Sequence, residues 1–227
     1  MRTLGIIVSA GKGKRFGDSL PKQFHLINGI PVIARALFCF ERSNLIDKIC
    51  LVIDNKYMRY YEKKIKKYKL KKIFNIVHGG KERQDSVYNG LMSSGNNWDI
   101  VVVHDGVRPF VSEELLNSVV RAAEKFGAAI PGVKPYDTLK VKSKSGIVKE
   151  TLKRDMICAV QTPQAFRYEI LKKAHLQARQ DKYTGTDDAE LVERIGKKVK
   201  IVEGDYRNIK ITTKYDLIIG SAIAESL

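Results

Sequence analysis

Leu4-Gly5-Ile6-Ile7-Val8 runs directly into Ser9-Ala10-Gly11-Lys12-Gly13-Lys14-Arg15-Phe16-Gly17, and Pro21-Lys22-Gln23 follows closely. The apolar run has the length and composition of a buried parallel strand. The glycines after it let the backbone approach a ligand and turn its N–H groups inward. Lys12, Lys14, Arg15 and Lys22 add positive charge. A strand that feeds such a loop suits a nucleotide phosphate; the competing reading is a basic surface turn in a basic protein.

Spacing excludes two familiar phosphate loops. A P-loop requires G-x-x-x-x-G-K-[ST], but Gly17 is followed by Asp18 and Ser19. The dinucleotide fingerprint G-x-G-x-x-G, counted from Gly11 and Gly13, needs its third glycine where Phe16 stands. Asp18-Ser19-Leu20-Pro21 also continues the loop where that motif would begin a helix. What remains is a longer, open, basic loop, suited to a nucleoside triphosphate whose phosphates stay reachable.

Beyond the loop, strand-like and helix-like runs alternate. Helical patterns cover Pro31 to about Phe40, Lys56 to Lys72, Gln84–Ser93 and the stretch after Ser112. Strand patterns cover Lys48–Ile53, Ile73–Val77, Ile100–His104 and Ala128–Val133. Ser112 reads as an N-cap with Glu113 and Glu114 behind it, and Leu115, Leu116, Val119, Val120, Ala123 and Phe126 form the stripe of that helix. The rhythm predicts an α/β fold: a mainly parallel sheet with helices on both faces and ligands beyond the carboxyl ends of the strands. The loops after the first, third and fourth strands carry Gly11–Lys22, Gly79–Arg83 and Asp105–Pro109 to one edge. After Pro135 the rhythm breaks into a hairpin, Thr138–Lys142 and Ile147–Thr151, around Ser143-Lys144-Ser145-Gly146. So small an excursion needs something to pack on, and a partner subunit would serve. Strand-like Ala159-Val160-Gln161, a helix near Tyr168–Arg179, a helix capped by Thr186, a strand Val199–Val202 and a helix from about Lys214 complete the chain. The expected organisation is a single domain over residues 1–227.

The chain has 227 residues, 44% of them hydrophobic, and a formal net charge of +16. Such charge raises a nucleic-acid reading. Yet eight lysines and Arg59 fall between Lys56 and Lys72, interleaved with Tyr57, Tyr60, Tyr61, Ile65, Tyr68 and Leu70 as on a solvated helix face. Cys39, Cys50 and Cys158 are far apart in apolar segments, which suits free thiols in a reducing cytoplasm and neither zinc nor disulfides. Met1-Arg2-Thr3 leads into a strand without a signal segment, and no apolar run has the length of a membrane span.

Among candidate groups, Asp105 at a strand tip could bind Mg²⁺ shared with phosphate, accept from a ribose, or staple its loop to Arg108. His104 reads as a satisfied histidine. Gly79-Gly80-Lys81-Glu82-Arg83-Gln84-Asp85-Ser86-Val87 could line a base pocket with Ser86 as reader, or form an ordinary turn. Lys210 lies between Ile209 and Ile211, so in a strand it would point away from both. Phosphate-binding cations without a Ser/His/Asp arrangement or an H-E-x-x-H motif point to phosphoryl or nucleotidyl transfer.

Nine motifs in order resemble the 2-C-methyl-D-erythritol 4-phosphate cytidylyltransferases of the non-mevalonate isoprenoid pathway. They are A-G-x-G-x-R at 10–15, P-K-Q at 21–23, G-G-x-x-R-x-x-S-V at 79–87 with Asn89-Gly90-Leu91, H-D-x-x-R-P at 104–109, D-T-x-K at 137–140, T-x-x-R at 151–154, Q-T-P-Q-x-F at 161–166, T-D-D-A at 186–189 and N-I-K-I-T at 208–212. The resemblance implies a Rossmann-like nucleotidyltransferase domain with a protruding β-arm at about 136–156, used in a cytoplasmic homodimer, and CTP with Mg²⁺. It implies that Arg15 and Lys22 hold the triphosphate and the charge developing at the α-phosphorus. Ser9, Ala10, Gly11, Gly13, Gly80, Lys81 and Ser86 would surround the nucleotide, with Asp105 near metal and ribose. Arg108, Lys210 and the partner's Thr138 and Arg154 would meet the sugar-alcohol phosphate, so Arg15, Lys22, Arg154 and Lys210 form the implied catalytic set. Two departures stand out. Ser9 replaces a frequent alanine, and Gly106-Val107 replaces a common alanine pair. Ribitol-5-phosphate cytidylyltransferases share the fold and often a valine before R-P, whereas Asp137-Thr138-Leu139-Lys140 and Asn89-Gly90-Leu91 favour methylerythritol phosphate.

Overall fold

The structure, a computed structural model, describes every residue except Lys12, Lys14 and Arg15. In chain order the elements are β1 (Thr3–Ser9), β2 (Leu26–Ile27), β3 (Ile30–Pro31), α1 (Val32–Arg42), β4 (Lys48–Ile53), α2 (Met58–Lys64), β5 (Ile73–His78), α3 (Arg83–Ser93), β6 (Ile100–Asp105), α4 (Glu113–Phe126), β7 (Ala128–Val133), β8 (Lys140–Lys142), β9 (Val148–Thr151), β10 (Ala159–Val160), β11 (Gln164–Arg167), α5 (Tyr168–Gln180), α6 (Asp188–Arg194), β12 (Lys200–Glu203) and α7 (Tyr215–Glu225).

β1 is buried at all its residues and lies between β4 and β6, parallel to both. β5 continues the parallel set beside β4. On the other side β11 runs antiparallel between β6 and β7, β12 pairs parallel with β7, and β10 pairs antiparallel with the end of β7. The sheet is therefore mainly parallel, as its apolar strands require: buried on both faces, they read as continuous apolar runs. Alternate side chains go to opposite faces. Ile7, Ile49, Leu51, Ile53 and Val102 meet α1, α2 and α4 on one face. Leu4, Ile6, Val8, Cys50, Val52, Val101 and Val103 meet α3, α5 and α6 on the other. A third, smaller cluster joins Phe16, Ile27, Val32, Val107, Phe110 and Ile211 to α7. It ties the end of the glycine-rich loop to the segment that carries Lys210.

The register brings four strand ends level. Ser9 pairs with Ile53, Ile53 with His78 and Val8 with Asp105. The loops after β1, β4, β5 and β6 therefore emerge together at one sheet edge, where open α/β sheets bind ligands.

Several elements differ from the sequence reading. β11 lies where only a loop and a helix were expected: Gln164, Ala165 and Phe166 are buried between β6 and β7. The lysine-rich stretch is not one helix. Only Met58–Lys64 is α-helical, short 3-10 turns flank it, and Lys69 is left-handed with φ 51°. Arg59 and Lys63, and Lys63 and Lys67, would be like-charge neighbours four apart on a continuous helix. Phe126, assigned to the buried stripe, is 51% exposed. It closes the last turn of α4 before left-handed Gly127 and packs under the ammonium groups of Lys125 and Lys200. Helix α6 is capped by Asp187, whose carboxylate accepts from the Glu190 N–H at 2.9 Å, and not by Thr186. The hairpin after Pro135 is present but short: β8 and β9 form their own two-stranded antiparallel sheet, exposed at every residue.

Candidate active site

The four loops enclose a cavity of about 780 Å³. Ser9, Ala10, Gly11, Gly13, Lys22, Gly80, Lys81, Ser86, Asp105 and Lys210 all line it, joined by Gln23, Asp54, Glu82 and Arg83. Arg15 lies outside the described residues. Arg108, Thr138 and Arg154 do not line the cavity. Arg108 sits behind its wall, where one guanidinium nitrogen donates to the Asn208 carbonyl at 2.7 Å. Thr138 and Arg154 are exposed beside the β8–β9 pair, and Arg154 donates to the Tyr136 carbonyl at 2.9 Å.

Local contacts hold the glycine-rich loop in shape. The Gln23 amide donates to the Ser9 carbonyl at 2.7 Å and to the Gly11 carbonyl at 3.4 Å. The third residue of P-K-Q thus pins the loop that Lys22 flanks. Phe16 donates its N–H to the Gly13 carbonyl at 2.7 Å and buries its ring against His25. Opposite, Gly79 lies against Ala10 so closely that a Cβ would stand 2.1 Å from the Ala10 Cβ. Only glycine lets the β1 and β5 loops meet there. The Ser86 hydroxyl accepts from the Gly80 N–H at 3.0 Å and donates to the Glu82 carbonyl at 3.1 Å. Ser86 therefore lines the cavity and uses its hydroxyl proton to fold the Gly79–Arg83 turn.

Asp105 is the electrostatic centre. One carboxylate oxygen accepts from Arg83 Nε at 2.9 Å and the other pairs with Lys210 Nζ at 2.6 Å. Burial alone would raise its carboxyl, but Arg83 and Lys210 outweigh that and hold it well below the usual carboxylate range. The staple to the Arg108 side chain is absent; Arg108 reaches Asp105 only through its backbone N–H, which donates to the Asp105 carbonyl at 3.0 Å. Residues 208–212 form no strand. Lys210 nonetheless turns to the cavity, because buried Ile211 is anchored by its N–H to the Val107 carbonyl at 2.9 Å.

His104 is fully buried with both ring nitrogens engaged. Nε2 lies 3.1 Å from the Arg108 carbonyl and Nδ1 3.1 Å from the Thr162 hydroxyl. A carbonyl only accepts, so Nε2 carries the proton and Nδ1 accepts from Thr162. That hydroxyl in turn accepts from the Asp105 N–H at 3.0 Å. Burial depresses the imidazole to about 4, so the ring is a neutral link between the Arg108 carbonyl and the Thr162 hydroxyl.

Sequence reasoning missed several residues. Gln23, Thr162 and Arg83 stood inside quoted motifs without a role. Asp188 stood in the T-D-D-A motif without a role, yet it is buried and ion-paired to Arg83 at 2.7 Å. His175 carried no signal beyond a lone histidine in a helical pattern.

Cations, a buried carboxylate and folded glycine loops thus converge on one cavity at the ends of parallel strands. The model of the 2-C-methyl-D-erythritol 4-phosphate cytidylyltransferase family matches residues 3–226. The protein of that name from Geobacillus kaustophilus is 47% identical over 221 residues, covering 97% of this chain and 96% of the relative. The one from Clostridium perfringens is 46% identical over 218 residues, covering 96% of each. Among solved structures, the 4-diphosphocytidyl-2C-methyl-D-erythritol synthase of Anaerococcus prevotii superposes with a TM-score of 0.89 at 32% identity, covering 99% of this chain and 96% of that one. The 2-C-methyl-D-erythritol 4-phosphate cytidylyltransferase of Francisella tularensis gives 0.80 at 34% identity, covering 98% and 100%. The fold, the loops at the strand ends and the near full-length match agree: this chain belongs to the 2-C-methyl-D-erythritol 4-phosphate cytidylyltransferase family.

Proposed function

We propose that this protein transfers CMP from CTP to 2-C-methyl-D-erythritol 4-phosphate, releasing pyrophosphate. The observation that carries this reading is the convergence of Lys22, Lys81 and Lys210 with Asp105 on one cavity at the sheet edge, in a chain of this family. A phosphate monoester has a second pKa near 6, so at neutral pH it is already largely dianionic and needs no general base. One of its oxygens attacks the α-phosphorus of CTP. The bond from that phosphorus to the bridging oxygen breaks, and pyrophosphate leaves with the electron pair. The obstacle is repulsion between two anions. Lys22, with Arg15 of the same loop, would neutralise the triphosphate and the charge developing at the α-phosphorus, while Lys210 orients the attacking phosphate. Ser9, Ala10, Gly11, Gly13, Gly80, Lys81 and Ser86 would contact the nucleotide.

A divalent cation such as Mg²⁺ would fit beside Asp105, whose oxygens also meet Arg83 and Lys210. The carboxylate oxygens of Asp105 in the cavity are hard donors, and a hard cation there would take most of its ligands from phosphates and water. Asp105 is the carboxylate that would hold it, and the ion would supply charge neutralisation at the phosphate oxygens.

The active unit of this reading is a homodimer. Val141, Ile147, Val148 and Met156 are exposed apolar side chains at the β8–β9 hairpin, and Thr138 and Arg154 stand there away from their own cavity. Docked on a second copy, that arm would bring both to the partner's acceptor phosphate, with Arg108 supporting the wall behind Lys210. Three free cysteines suit a reducing cytoplasm, and no helix among the described residues is long and apolar enough to cross a membrane.

The test is pyrophosphate release from CTP and Mg²⁺ with methylerythritol phosphate, with ribitol 5-phosphate, and with no acceptor. Release only with methylerythritol phosphate is expected. Faster turnover of ribitol phosphate would reassign the acceptor. Salt-sensitive nucleic-acid binding without pyrophosphate release would replace the enzymatic reading.

A further inference from the structure

A row of charged side chains runs from α5, through the cavity wall, to Lys210. His175, fully buried, lies with Nε2 3.0 Å from one oxygen of Asp188. The other Asp188 oxygen pairs with Arg83 Nη1 at 2.7 Å. Arg83 Nε meets Asp105 at 2.9 Å, and Asp105 meets Lys210 at 2.6 Å. Asp188 and Asp105 are both buried, whereas the Lys210 side chain is 38% exposed.

We propose that Arg83, Asp188 and His175 are a positioning chain that sets where Lys210 stands through Asp105. The inference rests on reading the cavity as a nucleotidyl-transfer site in which Lys210 orients the acceptor phosphate.

Arg83 and Lys210 meet on a single carboxylate, that of Asp105. Arg83 presents a fork of donors and can take both oxygens of one carboxylate. Here it is divided between two, one bond to each. Asp188, fixed by the His175 ring N–H, neutralises Arg83 from the far side of the guanidinium and leaves the second oxygen of Asp105 to Lys210. The row balances, with two carboxylates against Arg83 and Lys210. If Asp188 loses its charge, two cations share one carboxylate. The Arg83 side chain is 27% exposed and held at two carboxylates, whereas Lys210 is 38% exposed and held at one, so Lys210 is the group displaced. A staple that merely joined α3 to α6 would need the Arg83–Asp188 pair alone and would not involve Lys210.

The test is a double-mutant cycle of Asp188→Asn with Lys210→Gln, read on turnover at saturating substrates and on KM for methylerythritol phosphate. The asparagine keeps the shape of Asp188 and removes its charge. Misplacing an orienting group is costly, so Asp188→Asn alone should lower turnover by about tenfold or more. In the Lys210→Gln background the same change should cost less than about twofold, because the group it acts through is gone. An equal loss in both backgrounds overturns the proposal and leaves a structural staple. If Asp188→Asn does not yield folded protein, Arg83→Lys, which keeps the charge and loses the fork, enters the same cycle with the same two outcomes. Should the wild type make no product from CTP and the acceptor, the functional reading has failed independently. The cycle is then read on the affinity for inorganic tripolyphosphate by calorimetry, where non-additive losses support the chain and additive ones overturn it.

Discussion

Ser9 and Gly106, two of the three residues read from the sequence as departures from the family pattern, lie against each other. A Cβ on Gly106 would lie 2.9 Å from Ser9 Oγ and 3.0 Å from Ser9 Cβ, and Ser9 Oγ is buried with no hydrogen-bond partner among the described residues. The added hydroxyl at position 9 and the missing methyl at position 106 are thus one exchange of volume. Gly106→Ala alone should destabilise the protein by about 1–3 kcal/mol through overpacking. Adding Ser9→Ala should recover part of that loss, since it removes the clashing oxygen. Denaturant unfolding of the two variants decides it, and independent, additive effects would count against the pairing. This coupling could not be read from the chain, where the two positions are far apart and only the register of β1 with β6 brings them together. The same holds for Asp105. Its place at a strand tip was legible, but its partners Arg83 and Lys210 were not, because ion pairing is decided by which loops meet.

At the scale of elements, the parallel strands and most helices were legible because each carries its own periodic signal. β1, β4, β6 and β7 are apolar runs of strand length, and Ser112 caps α4 as its side chain predicts, accepting from the Leu115 N–H at 3.1 Å. β11 was not legible. It has four residues, it follows Gln161-Thr162-Pro163, and its strand character comes from lying between β6 and β7. The link that seats it runs from His104 in β6 to Thr162, and it gives a pH prediction. The folded ring titrates near 4 against an ordinary 6.5, so between those values the unfolded chain binds the extra proton. Stability should be full above pH 6.5 and decline as pH falls toward 4, by about 3 kcal/mol at most. Below that, Asp105 and Asp188, both held under the usual carboxylate range, add their own loss. Unfolding free energies at pH 7 and 4.5, without metal or nucleotide, should differ less in His104→Gln than in the wild type; an unchanged difference would contradict the assignment.

For the molecule as a whole, the net charge of +16 is only partly a property of the site. Lys56, Lys63, Lys64, Lys66, Lys67, Lys69 and Lys71 are exposed, and among the described residues none makes an ion pair within 4.0 Å. They form a solvated surface, as their spacing with the tyrosines suggested. The proposed dimer has a sharper consequence. If Arg154 serves the partner's cavity, Lys210→Gln and Arg154→Ala homodimers should each be nearly inactive, yet mixing them should restore activity, since a mixed dimer holds one intact site. No recovery after subunit exchange, shown to have occurred by mass, would place Arg154 with its own cavity or outside the reaction.

The central claim is direct transfer: the acceptor's phosphate attacks CTP in a cavity that contributes charge and orientation and no nucleophile. ³¹P NMR of the reaction with methylerythritol phosphate carrying ¹⁸O in its phosphate tests this most directly. All the label should appear in the diphosphate product and none in pyrophosphate, with no CMP attached to the protein when the acceptor is omitted. Label in pyrophosphate, or a CMP-protein adduct, would contradict it.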